Sequence, residues 1–180
     1  MRIVSLQCSS AAYKKSTNST HSRKQSRLLH CYNALTMPFK KIDHLNIVVQ
    51  NLEATKNFFT DLGFIILTKG RLEGAWIDKI VNLPDVQADY IALALPNTQT
   101  SIELIKYYSP EGERDPKLSL PNQIGFRHIA LEVQGIEEIV AELKEKGITV
   151  FSDIQVYNES KKLCYFQGPE GIILELAEYE

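Results

Sequence analysis

His44-Leu45-Asn46-Ile47-Val48-Val49-Gln50 returns 84 residues later as His128-Ile129-Ala130-Leu131-Glu132-Val133-Gln134. The match continues without a gap through Glu53 and Glu137 to Gly63 and Gly147. The ends of the two halves agree as well. Ile102-Glu103-Leu104 resembles Leu174-Glu175-Leu176, and Tyr107 then matches Tyr179. The chain therefore reads as a duplicated unit, with one histidine near the start of each copy and one glutamate near its end.

The duplicated stretch alternates and is rich in β-branched residues, so Ile42 to Val49 reads as a strand. Asn51 suits a helix N-cap. Leu52, Phe58, Phe59 and Leu62 recur at helical spacing, and Gly63 suits the position just past the helix end. Strands follow at about 64–68, 86–95 and 100–107, with Pro96-Asn97 at the last turn. The second half repeats the order. It has a strand over 126–133, a helix with the apolar stripe Ile136, Ile139, Val140 and Leu143 ended by Gly147, and strands near 149–156, 162–167 and 172–178. Each half is β-α-β-β-β.

The copies differ in length. His44 to Glu103 spans 59 positions and His128 to Glu175 spans 47, so the first holds 12 more. They fit most simply within 69–85, where Trp76, Ile77, Ile80, Val81 and Leu83 could form a short amphipathic helix. The stretch 109–124, with three prolines, reads as the linker between module one (41–108) and module two (125–180).

Charge separates a leader from a body. Residues 1–42 carry eight Lys or Arg and no acid, whereas 43–180 carry 12 basic and 22 acidic side chains, a net of −10. An acidic body disfavours nucleic acid as a ligand, because phosphate contacts need a basic face. No apolar run approaches the roughly 20 residues of a membrane span, so no membrane partner is expected. Cys8, Cys31 and Cys164 show neither pairing nor metal spacing and point to a reducing, cytoplasmic setting. Residues 1–40 read as a disordered leader, or as sequence before a true start at Met37. An organelle transit peptide is the alternative.

Side chains on a strand alternate between faces. His44 shares a face with Asn46, and Leu45, Ile47 and Val49 point the other way. His128 likewise stands apart from Ile129, Leu131 and Val133. Glu103 and Glu175 are each flanked by two aliphatic residues. A polar side chain on one face of a strand is ordinarily the wet side of a half-exposed sheet. Four such residues at matching repeat positions point instead to a shared task. Two imidazoles and two carboxylates suit one divalent ion, whether zinc, nickel, cobalt, manganese or iron, and the lack of thiolates disfavours a structural zinc.

These residues resemble the vicinal oxygen chelate superfamily, which includes glyoxalase I, methylmalonyl-CoA epimerase, fosfomycin-resistance proteins and extradiol dioxygenases. The resemblance covers about 41–179. It rests on Asp43-His44-Leu45, Leu62-Gly63-Phe64, Arg127-His128-Ile129-Ala130-Leu131 and Gly168-Pro169-Glu170-Gly171-Ile172-Ile173-Leu174-Glu175-Leu176. It implies an α+β fold in which two tandem βαβββ modules form a curled, barrel-like mixed sheet. It also implies that His44, Glu103, His128 and Glu175 hold the metal and that the chain pairs as a homodimer, with the site built within one chain or between two.

The implied activity is that of a metal-dependent epimerase or isomerase on a small carbonyl or thioester substrate, similar to methylmalonyl-CoA epimerase. Gly74-Ala75-Trp76-Ile77-Asp78 and Glu103-Leu104-Ile105-Lys106-Tyr107 look most like that branch. Those epimerases commonly show Gln where this chain has Glu103, which favours a glyoxalase I-type lactoylglutathione lyase as the alternative. An extradiol-type dioxygenase and a non-catalytic small-molecule-binding protein are the further alternatives. In the enzymatic readings Glu175 or Glu103 would take a proton beside the substrate carbonyl. Asn46, Trp76 and Tyr165 are candidate substrate contacts, and Glu73 and Asp78 are weaker candidate bases.

Overall fold

The computed structural model describes residues 39–180, so the reading of 1–40 as a leader lies, but for its last two residues, outside the described residues. Module one runs β1 (His44–Val48), α1 (Leu52–Asp61), β2 (Ile65–Glu73), α2 (Ala75–Val81), β3 (Gln87–Ala94) and β4 (Ser101–Ser109). Module two runs β5 (His128–Glu132), α3 (Ile136–Glu145), β6 (Gln155–Tyr157), β7 (Lys161–Gln167) and β8 (Ile173–Tyr179). The strand orders are β1-β4-β3-β2 and β5-β8-β7-β6. In both sheets the first and last strands of the module pair in parallel and the other pairs are antiparallel. The result is an α+β fold of two mixed four-stranded sheets, neither closed on itself.

The helix ends follow from local chemistry. The Asn51 side chain accepts a hydrogen bond from the Ala54 amide at 3.0 Å, satisfying one of the free N–H groups of the first turn. Glu170, from module two, accepts from the Gln50 amide at 2.7 Å and the Asn51 amide at 2.6 Å. Gly63 and Gly147 follow the helix ends at φ +92° and +73°, a region costly for residues with a Cβ.

Leu52 and Phe59 on α1 and Ile136, Val140 and Leu143 on α3 enter one core with Leu93, Ile102, Leu104, Phe166, Leu174 and Leu176. Full burial of each such side chain contributes about 1.5–3 kcal/mol. Both modules thus share a core built on their helix-bearing faces.

The extra length of module one is divided between two features. β2 continues to Glu73, paired with β3 throughout, beyond the strand end read at about residue 68. Gly70 hid this extension, because glycine weakens strand propensity. A Cβ at Gly70 would lie 2.9 Å from the ring of Tyr90, so a larger residue there would have to displace that ring. The remainder is the helix α2, whose Ile77 packs with Val86, Ala88 and Ile105 in a second, smaller core. Ile105 alternates with Ile102 and Leu104, so α2 covers the face of the first sheet opposite the main core. That face also carries Glu103. Among the described residues no helix is long and apolar enough to cross a membrane.

Candidate metal centre and its surroundings

Strand register places the four duplicated residues in two equivalent pairs. His44 lies opposite Ser101 and Asn46 opposite Glu103. His128 lies opposite Ile173 and Ala130 opposite Glu175. In each module the histidine therefore meets the glutamate diagonally across a parallel strand pair, on the face away from the buried Leu104 or Leu174. His44 Nε2 is 3.8 Å from Glu103 Oε2, and His128 Nε2 is 3.1 Å from Glu175 Oε2. Among the described residues no group of three or more His, Cys, Asp or Glu side chains gathers closely enough to hold a metal ion. The structure thus brings His44 to Glu103 and His128 to Glu175, but does not bring the two pairs together into one cluster.

The pairs differ in their surroundings. The Glu175 side chain is 8% exposed and the Glu103 side chain 25%. Lys161 Nζ donates to Glu175 Oε1 at 2.8 Å, so both oxygens of that carboxylate have a partner. The hydrogen bond to Glu175 raises the pKa of Lys161 against the opposing effect of desolvation. Tyr165 stands directly opposite Glu175 in the β7–β8 register, and its ring lies 4.9 Å from the His128 ring. Burial, and then the charge of Glu175, push the Tyr165 phenol pKa upward. At the matching places module one has Ala92 opposite Glu103 and Ala88 opposite Tyr107. Two small residues thus replace Tyr165 and Lys161.

His44 is steadied from its other side. Its Nδ1 lies 3.2 Å from Asp43 Oδ2, which leaves Nε2 facing Glu103. This contact, followed by the charge of Lys41, lowers the Asp43 pKa. A carboxylate on the remote ring nitrogen is a common way to fix a ligating histidine. Asn46 donates from Nδ2 to the Glu103 carbonyl at 3.2 Å, so it reinforces the strand pair beside the site. Trp76 projects from α2 and is 55% exposed. Asp78 accepts from the Val86 amide at 2.8 Å and Glu73 pairs with Arg71 at 3.2 Å. Those two acids brace the α2 region.

Lys161 and Asp43 were missed in the sequence as parts of the site. Asp43 had a visible signal, its place immediately before His44. Lys161 had none, because its nearness to Glu175 depends on the pairing of β7 with β8.

The donor chemistry of both pairs fits a borderline divalent cation, since neutral imidazole and carboxylate are both good ligands for one. Each pair supplies two donors, so a four-ligand site requires both.

The structural comparisons agree with this architecture. A glyoxalase family protein from Bacillus cereus superposes with a TM-score of 0.73 at 27% identity, covering 78% of this chain and 95% of that one. A glyoxalase family protein from Enterococcus faecalis is 33% identical with a TM-score of 0.58, covering 79% and 100%. The uncharacterized protein YaeR of Escherichia coli K12 is 28% identical over 142 residues, 77% of this chain and 96% of its own length. The family model of the glyoxalase/bleomycin resistance protein/dioxygenase superfamily matches residues 41–176, and the chain belongs to that superfamily.

Proposed function

We propose that the chain is a divalent-metal-dependent epimerase or isomerase that abstracts a proton next to the carbonyl of a small carbonyl or thioester substrate. The observation that carries this reading is the repeated diagonal His–Glu pair, presented at the same register in both modules. His44, Glu103, His128 and Glu175 would hold the ion. Bound there, it would supply Lewis-acid polarisation of a substrate oxygen.

The residues divide the remaining work. Glu103 and Glu175 are the candidate bases. Glu103 is the freer of the two, with one close cationic or imidazole neighbour and more access to solvent. Glu175 is held from both sides by His128 and Lys161. Tyr165 faces Glu175 across its strand pair, where module one sets the small, buried Ala92 opposite Glu103. Asn46, Trp76 and Tyr165 are the proposed substrate contacts.

The two pairs meet in this reading through a homodimer or through closure within one chain. A glyoxalase I-type lyase is the second reading, favoured by a carboxylate at Glu103, and it uses the same proton abstraction. An extradiol dioxygenase would require open iron positions, which a second ligating carboxylate disfavours.

The test combines metal content with proton exchange. After dialysis against a chelator and reloading, wild type should retain a divalent ion that His128→Ala and His44→Ala lose. Solvent deuterium should enter the position next to the carbonyl of an acyl-CoA ester or of a hemithioacetal of methylglyoxal. Unchanged metal content in both variants would remove the ligand set. Absence of exchange with every such substrate would remove the reaction.

A further inference from the structure

Glu175 raises a problem that Glu103 does not. A carboxylate this buried is costly unless its charge is compensated, and isolated buried charges are among the most destabilising features a fold can hold. Lys161 meets the requirement from a neighbouring strand, with its Nζ on Oε1 while His128 faces Oε2. Module one has Ala88 at the corresponding register position, and there Glu103 is open enough for water to serve. The lysine is therefore present only where the carboxylate is buried.

We propose that Lys161 is a positioning residue that acts as a resident counter-cation. It neutralises Glu175 in the metal-free chain and thereby weakens the hold of the site on a divalent ion. This inference rests on the metal reading given above. An ammonium against one carboxylate oxygen withdraws charge from the ligand and repels a second cation at the other oxygen. The ammonium has a second partner where it stands. Lys161 Nζ lies 5.4 Å from the centre of the Tyr179 ring, within range of cation–π attraction, and its side chain is 23% exposed. Binding of an ion would then cost the Lys161–Glu175 contact without stranding the lysine. The chain would exchange one positive partner for another at a carboxylate that is never left bare.

The test compares wild type with Lys161→Met, which keeps the stem but removes the charge, and with Lys161→Arg, which keeps the charge. Each protein is stripped with a chelator. Its affinity for zinc and for manganese is then measured by competition with a chromophoric chelator, and its Tm is recorded with and without saturating metal. Lys161→Met should bind each ion on the order of tenfold more tightly, a size typical of residues that tune a ligand from behind. Lys161→Arg should stay near wild type. Metal-free Lys161→Met should melt below wild type, and saturating metal should close that gap. Should Lys161→Met not fold without metal, Lys161→Gln takes its place in the same measurements.

Equal or weaker binding by Lys161→Met, with wild type binding normally, would overturn this inference and leave the metal reading intact. No binding by any of the proteins would overturn both.

Discussion

Tyr165 stands directly opposite Glu175 across β7 and β8, whereas the same position of module one places Ala92 opposite Glu103. The residue facing the carboxylate is thus aromatic in one module and small in the other. Tyr165→Phe keeps the ring against His128 and should unfold within about 0.5 kcal/mol of wild type. Tyr165→Ala removes the ring and should cost about 2 kcal/mol. Urea unfolding of both variants measures the difference, and equal costs would mean that the ring is not what packs this side.

The two carboxylates should separate in their kinetic signatures. For the variant that lacks the base, Glu103→Gln or Glu175→Gln, the rate of deuterium wash-in should fall by about 10²- to 10⁴-fold with metal still bound. The other variant should lose metal affinity first. Wild-type exchange rates in both would show that neither carboxylate takes the proton.

Phe59 is fully buried, with its ring edge-on to Phe58 and Phe64. Phe59→Ala should destabilise the fold by about 3–5 kcal/mol. Chemical denaturation provides the check, and a loss below 1 kcal/mol would mean that the core collapses readily onto the gap.

Stability should weaken in alkali. Cys164 is a free, buried thiol whose pKa is raised by desolvation. Its ionisation is therefore easier in the unfolded chain than in the folded one. The stability linked to Cys164 is complete below the ordinary thiol pKa and falls as pH rises past it. The raised Tyr165 and Lys161 values act in the same direction at higher pH. The urea midpoint should drop between pH 7 and pH 10, and Cys164→Ala should reduce the drop. A midpoint unchanged over that range would contradict the assignment.

Much of this was legible because the local signals agree with one another. Asn51, Leu52, Phe59 and Gly63 mark one helix by cap, stripe and stop, and the structure uses each of them in that role. The repeat identified the four paired residues because alternation along a strand converts spacing directly into facing. What stayed hidden depends on contacts between distant segments. Lys161 reaches Glu175 only through strand pairing, and Glu170 reaches α1 from 120 positions away. The short β6 was misjudged for a related reason. Val150 makes only an isolated bridge to Phe166, so regular pairing begins at Gln155 and not at residue 149.

Glu170 carries a consequence for the history of the molecule. The two amides that lead into the module-one helix, those of Gln50 and Asn51, find their acceptor in the other half. The module-two helix finds its own nearby, where the Gly135 amide donates to Glu178. For this one amide, dependence between the former twins runs one way. Severed at the linker, the C-terminal fragment would keep the acceptor of its N-cap amide, and the N-terminal fragment would keep the Asn51 side-chain cap but lose Glu170. The ancestral repeat has become a leader and a follower that can no longer be interchanged.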